Sequence, residues 1–159
     1  HAAGVVRDGI LAGQTAHSLV HVLAPKANGA YALHSLTAPL PVETAALYSS
    51  IVALFGLPGQ ANYAAANTVL DALAYSRRAM GQPATSVQWG PWAEVGMATQ
   101  AAAQHNMATL GFGLVGVVDG LAALEVALKG TSPVVSSYLI ALEPSRHSHS
   151  VAALTSDCS

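Results

Sequence analysis

Leu19, Val22, Leu23, Ala30 and Leu33 recur behind Thr15 as an apolar stripe at helical spacing. A helix with Thr15 as its N-cap is therefore predicted to run to about Leu36. Pro25 lies inside it, lacks an N–H, and should kink or break it locally. The next apolar run, Ala45 to Ile51, reads as a strand that ends on the paired hydroxyls Ser49-Ser50. Gly56-Leu57-Pro58-Gly59-Gln60 is a turn, and Ala-rich Asn62 to Met80 reads as the long helix. Gly81 stands at its C′ position, Pro83 lies beyond, and Arg77 and Arg78 occupy its last turn. Thr85 to Trp89 is a second strand. Ala98 to Leu110 reads as a helix with the character of a mobile lid. Val117 to Lys129 is a helix stopped by Gly130, and Pro133 to Ala141 is a final strand. From Glu143 the Ser, His and Pro content predicts a frayed tail. These boundaries divide the chain into a folded unit over 1–142 and a flexible tail or linker over 143–159.

Composition narrows the class. Of 159 residues 52% are hydrophobic and only 9% charged, which fits one domain, or a piece of one, with a buried α/β interior. The formal net charge is −2 and no run of Lys or Arg occurs, so neither nucleic acid nor an anionic membrane is an expected partner. Cys158 is the one cysteine; it can form no internal disulfide, and a reducing, cytoplasmic setting fits it. No apolar run approaches the roughly 18–20 residues of a membrane span, and no signal peptide is visible. Because the chain opens at His1 rather than Met, it is expected to be a fragment. His147-Ser148-His149 lacks further ligands, so no metal is expected.

The candidate chemistry surrounds the turn. Tyr63 and Asn67 are four apart and share one helix face. A turn that returns the chain beside the strand end would bring Ser50 toward Tyr63. Hydroxyl, phenol and amide would then converge at the C-terminal end of a strand, where open α/β sheets bind ligands. Each residue has a plainer reading: a packed Tyr, a capping Ser, a satisfied buried Asn. Lys26, taken alone, is a solvated surface cation.

Ser49-Ser50, Gly56-Leu57-Pro58-Gly59-Gln60-Ala61-Asn62-Tyr63-Ala64-Ala65-Ala66-Asn67, Leu70-Asp71-Ala72-Leu73-Ala74, Arg77-Arg78, Gly81-Gln82-Pro83-Ala84 and Trp89-Gly90-Pro91-Trp92 together carry a resemblance. The chain resembles the ketoreductase domain of modular polyketide synthases, a branch of the short-chain dehydrogenase/reductases, over residues up to about Val135. The resemblance implies Lys26, Ser50, Tyr63 and Asn67 as catalytic residues. Tyr63 would be the proton donor, brought into range by the charge of Lys26, and Ser50 would hold the carbonyl oxygen. Asn67 would anchor Lys26 or a water. The superfamily's usual Tyr-x-x-x-Lys has Asn at position 67 here, with Lys supplied by the earlier helix, as is normal for polyketide and fatty-acid ketoreductases. NADPH is the implied cofactor, held by Ala2, Ala3, Gly4, Lys26, Tyr63, Pro91 and Trp92. Asp8 and Gln60 are implied in stereocontrol. B-type members carry Leu-Asp-Asp where this chain has Val6-Arg7-Asp8, and A-type members carry Trp where Gln60 stands, which favours a B-type, D-configured product. The implied partners are an acyl carrier protein bearing a phosphopantetheine-bound β-ketoacyl chain and the other domains of a parent synthase.

Gly111-Phe112-Gly113-Leu114-Val115-Gly116 satisfies the dinucleotide pattern on paper. No strand is predicted before it, and Gly130 to Ser137 holds no acid, so it reads as a turn. The expected fold is thus α/β: the C-terminal part of a Rossmann-like parallel sheet flanked by helices, its N-terminal strands and phosphate loop missing. Three functions stay open: a β-ketoacyl reductase domain, a non-catalytic structural module of a synthase, and a free-standing short-chain dehydrogenase. Position 67 and the Trp89–Trp92 motif argue against the last.

Overall fold

The computed structural model of the chain describes residues 1–95, 107–140 and 151–155; the expected lid helix at 98–110 falls largely outside them. Thr15 opens the first helix, α1 (Ala16–Leu23), with a capping box in which Thr15 and Ser18 exchange hydrogen bonds. Pro25 neither breaks nor ends the helix. The chain widens into a single π-type turn over Ala24–Asn28, where the Gly29 N–H reaches back to the Ala24 carbonyl, and continues as α2 (Gly29–Thr37). One residue is absorbed without a normal i→i−4 bond, and such insertions are a common way of turning a side chain toward a site. Lys26 sits in this turn and is buried. Of the predicted stripe, Val22 and Ala30 are buried, whereas Leu19 and Leu33 are exposed.

Strand β1 (Ala46–Ser50) is followed by a short helix, α3 (Val52–Phe55), and by the long helix α4 (Ala61–Ala79). Helix α4 ends at Gly81, whose φ of +74° is open to glycine at little cost. Strand β2 (Thr85–Trp89) pairs with β1 in parallel, Leu47 opposite Ser86 and Ser49 opposite Gln88. Past Gly111 (φ +81°), the two-residue strand β3 (Phe112–Gly113) leads to α5 (Val117–Lys129) and β4 (Val134–Ile140). Strand β4 pairs in parallel with β2 and antiparallel with β3. The stretch expected to be a flexible tail supplies a further strand, β5 (Val151–Thr155), antiparallel to β4. Its backbone occupies hydrogen-bonding positions that β4 would otherwise leave open as a bare sheet edge.

The parallel trio β1-β2-β4 carries helices on both faces, as expected for this class. Leu47, Leu70, Leu73, Ala74 and Ala84 pack α4 on one face; Val87, Trp89 and Ala127 pack α5 on the other. Ahead of β1 the chain runs extended beside that strand, with the His1 amino group donating to the Ala46 carbonyl and Tyr48 N–H to the His1 carbonyl. Among the described residues no helix is long and apolar enough to cross a membrane.

A close approach fixes Trp92. A Cβ added at Gly120 of α5 would meet the Trp92 ring at 2.4 Å. Gly120→Ala gains about 1 kcal/mol of helix propensity, but overpacking of this kind costs about 1–3 kcal/mol. A net loss of about 1 kcal/mol is expected, read as a lower melting temperature accompanied by a change in tryptophan fluorescence as the indole is displaced. An unchanged spectrum would show that Trp92 does not depend on this glycine.

Candidate active site

The parallel strands β1 and β2 end side by side, and a cleft of about 480 Å³ opens at their carboxyl ends. Its lining brings together Ala2, Asp8, Lys26, Ser50, Gln60, Tyr63, Pro91 and Trp92, residues drawn from five separate stretches of sequence. Three other expected members stand elsewhere. Ala3 is exposed and off the lining. Gly4 backs onto Lys26, where an added Cβ would stand 3.0 Å from its Cε. Asn67 is fully buried beneath the cleft.

Tyr63 enters from the first turn of α4, packed with Val22, Val52 and Ala66. The Lys26 ammonium lies 5.5 Å from the centre of its ring and donates to the Tyr48 carbonyl at 2.8 Å. Burial lowers the Lys26 pKa from 10.5 to about 8, with Asp71 pulling it back upward. Tyr63 departs from expectation. Burial pushes its phenol above the usual 10.0; the Asn67 side chain offsets this in part, and Asp8 adds to it. The ammonium stands over the ring face, and burial remains the largest influence on the hydroxyl. In this arrangement the phenol is held protonated.

Of the two roles expected for Asn67, anchor of Lys26 or of a water, the first is not met: no hydrogen bond joins its side chain to Lys26. Its Nδ2 donates to the Tyr63 carbonyl at 2.8 Å, while its buried Oδ1 has no partner. Ser50 Oγ accepts from the Val52 N–H at 3.2 Å, which leaves its own proton for another acceptor. At the rim Gln60 Nε2 donates to both carboxylate oxygens of Asp8 at 3.2 Å. The Gly9 N–H donates to the Gly59 carbonyl at 2.8 Å. Segment 7–14 is thereby clasped to the turn before α4.

Sequence reasoning missed the residue that completes this clasp. Asn62 is buried; its Nδ2 donates to the Arg7 carbonyl at 2.8 Å and to Gln14 Oε1 at 3.1 Å, while its Oδ1 accepts the Tyr63 N–H. An amide at the mouth of a helix, next to a candidate catalytic residue, was the available signal. Tyr48 and Trp89 also line the cleft and pack at a tilt of 41° with ring centres 5.6 Å apart. Nothing in their spacing marks them, since a strand pattern does not say which end of a residue row faces a cavity.

The cleft suits a nicotinamide cofactor on two counts: the Lys26 ammonium, for whose side chain the missing Cβ of Gly4 leaves room, and the orphaned Asn67 Oδ1 below. Among the described residues no group of His, Cys, Asp or Glu could hold a metal ion.

Comparison with known proteins agrees with this geometry. The family model described as KR domain matches residues 1–94. The chain is 46% identical over 136 residues, 84% of its length, to the polyketide synthase GfsB of Streptomyces halstedii, of which it covers 2%. It is 44% identical over 131 residues, 80% of its length, to the spectinabilin polyketide synthase system protein NorB of Streptomyces orinoci, of which it covers 6%. Among solved structures, an A-type ketoreductase from a modular polyketide synthase superposes with a TM-score of 0.86 at 39% identity, over 88% of this chain and 30% of that one. The first ketoreductase of the tylosin synthase superposes with a TM-score of 0.81 at 37% identity, over 87% of this chain and 30% of that one. The chain thus spans a small part of the synthases it matches, and about a third of the ketoreductase structures.

Proposed function

This chain belongs to the KR domain family of polyketide synthases, and on that premise we propose that it carries the catalytic portion of a β-ketoacyl reductase. The substrate in this reading is a β-ketoacyl thioester on the phosphopantetheine arm of an acyl carrier protein, the cofactor is NADPH, and the product is the β-hydroxyacyl thioester. The other domains of a cytoplasmic synthase are its partners. The observation that carries the reading is the convergence of Lys26, Ser50 and Tyr63 on one cleft at the strand ends.

NADPH, when bound, supplies the hydride that reduces the carbonyl carbon. Ala2, Lys26, Tyr63, Pro91 and Trp92, which line the cleft, are the residues assigned to hold it, with Gly4 behind Lys26. Ser50 donates its hydroxyl proton in a hydrogen bond to the carbonyl oxygen and orients it toward Tyr63. The Tyr63 phenol gives its proton to the same oxygen as negative charge develops there, so that carbon gains a hydride and oxygen a proton. Lys26 stabilises the tyrosinate left behind, and Asn67 Oδ1 offers an acceptor for a water that resupplies the proton. The Asp8–Gln60 pair at the rim sets which face of the ketone meets the hydride, here the face that yields the D-alcohol. We assign the catalytic unit to 1–142.

The intact synthase polypeptide, given NADPH and a β-ketoacyl thioester, is expected to oxidise NADPH in step with hydroxyl formation, with a D-configured product on chiral analysis. A folded polypeptide with no ketone reduction would sink the reductase reading in favour of a structural module. A predominantly L product would overturn only the role given to Asp8 and Gln60.

A further inference from the structure

Segment 7–14 carries Asp8 to the rim of the cleft without a core of its own. None of its residues is buried, and Ile10 and Leu11 are 73% and 78% exposed. A cavity of about 370 Å³, lined by Leu11 and Gln14 of the segment, Leu19 of α1, and Ala61 and Asn62 of α4, lies where packed side chains would otherwise hold it. Where the segment stands is therefore decided by hydrogen bonds rather than by apolar burial.

Two of these bonds bracket the rim pair. On one side of Asp8 the Gly9 N–H donates to the Gly59 carbonyl at 2.8 Å. On the other side the Arg7 carbonyl accepts from Asn62 Nδ2, also at 2.8 Å. Asp8 lies between residues 7 and 9, and Gln60 between residues 59 and 62, so the two contacts enclose both members of the pair. The pair's own contact is exposed and long, with Gln60 Nε2 3.2 Å from each carboxylate oxygen, and such a contact fixes little by itself. Asn62, by contrast, is 3% exposed, and a buried amide is costly to leave without its partners. Both ends of that amide are used. Nδ2 also donates to Gln14 Oε1 at 3.1 Å, and Oδ1 accepts the Tyr63 N–H at 2.7 Å, one of the donors that the first turn of a helix leaves without a backbone partner. Gln14 is held in turn, its Nε2 donating to the Gly9 carbonyl at 3.0 Å. One side chain thus ties the segment that carries Asp8 to the helical turn that carries Tyr63, while standing off the lining of the cleft itself.

Resting on the reductase reading and on the role given above to Asp8 and Gln60, we infer that Asn62 is a positioning residue for the stereochemical course. By holding the Arg7 carbonyl it fixes the Asp8–Gln60 pair relative to Tyr63, and so fixes which face of the ketone is presented. It acts through the backbone on either side of Asp8 and does not touch the reacting atoms. Asn62→Asp is the sharpest probe. It keeps the shape and the oxygen that accepts the Tyr63 N–H, and it replaces the donating nitrogen with an oxygen. Rotation of the Gln14 amide can answer that oxygen, but the Arg7 carbonyl is only an acceptor and cannot. Asn62→Ser removes the same donor without adding a charge near Asp8.

Both variants are read in two ways in the intact synthase polypeptide, with Asp8→Ala for comparison. Mass spectrometry follows hydrogen exchange in the peptide covering 7–14, and chiral analysis gives the ratio of the two alcohols formed from a β-ketoacyl thioester with NADPH. Exchange in 7–14 is expected to quicken by about 10-fold. The ratio of major to minor alcohol should fall by about 10-fold, with kcat falling much less. A residue that served the fold alone would lower the amount of active protein and leave the ratio where it was. An unchanged ratio in a folded variant, while Asp8→Ala shifts it, would overturn the proposal, and so would unchanged exchange. Loss of folding in both variants would assign Asn62 to the fold and overturn it as well. An unchanged ratio in Asp8→Ala itself would defeat the role of the rim pair and the proposal with it. The reductase reading fails separately, as a folded wild type without turnover; quickened exchange in Asn62→Asp would then still uphold the clasp.

Discussion

Tyr63→Phe is expected to lower kcat for ketone reduction by about 10³-fold, within the range that a positioned acid contributes, and to leave the fold in place. The ring is 7% exposed and seated among Val22, Val52 and Ala66, contacts that phenylalanine reproduces in full. The variant loses only the phenolic hydroxyl. Because burial holds that phenol above 10.0, Tyr63 stays a protonated donor throughout the neutral range, and no wild-type loss of activity should trace to tyrosine ionisation below that point. Steady-state kinetics with a β-ketoacyl thioester, paired with a thermal melt, measures both effects. Residual activity within a few-fold of wild type, in a folded variant, would remove Tyr63 from the chemistry and leave the site without a proton source.

Lys26→Met is expected to act in opposite directions on catalysis and on stability. The ammonium costs stability in its wide helical turn, since its displacement from 10.5 to about 8 corresponds to roughly 3 kcal/mol. Methionine removes that cost and forfeits the bond to the Tyr48 carbonyl, worth about 1–2 kcal/mol. A net gain of about 1–2 kcal/mol follows, together with a loss of turnover of at least about 10²-fold. The pH dependence has a definite sign. Below about 8 lysine is protonated in both folded and unfolded chains, and the penalty is complete. Between about 8 and 10.5 the unfolded chain binds the proton that the folded one has released, so wild-type stability rises with pH. The advantage of methionine should therefore shrink across that interval, and wild-type activity should fall as the ammonium is lost. Denaturant unfolding of the complete ketoreductase domain at pH 7 and pH 10 checks it. A variant less stable than wild type at pH 7 would show that Lys26 is held by interactions stronger than its burial penalty.

How much was legible in the sequence depends on how local each cause is. Strand Thr85–Trp89, helix Val117–Lys129 and the glycine stop at 81 were readable because backbone propensity, capping and turn chemistry act within a few residues. The spacing of Tyr63 and Asn67 was readable for the same reason: helical geometry alone puts them on one face. The grouping of Lys26 with Ser50 rested on resemblance, since nothing in either neighbourhood refers to the other. What only tertiary structure decided is how buried charge is arranged. Pro25 widens the helix rather than breaking it, because helix segments on both sides are already held by α4 packing. Lys26 stands over the Tyr63 ring and donates to the Tyr48 carbonyl. Asp71 is satisfied only when two strands, β2 and β4, bring Ser86, Gln88 and Ser136 beneath it. Electrostatic energy depends on distance and on the exclusion of water, and both are properties of the assembled interior that no stretch of sequence carries by itself.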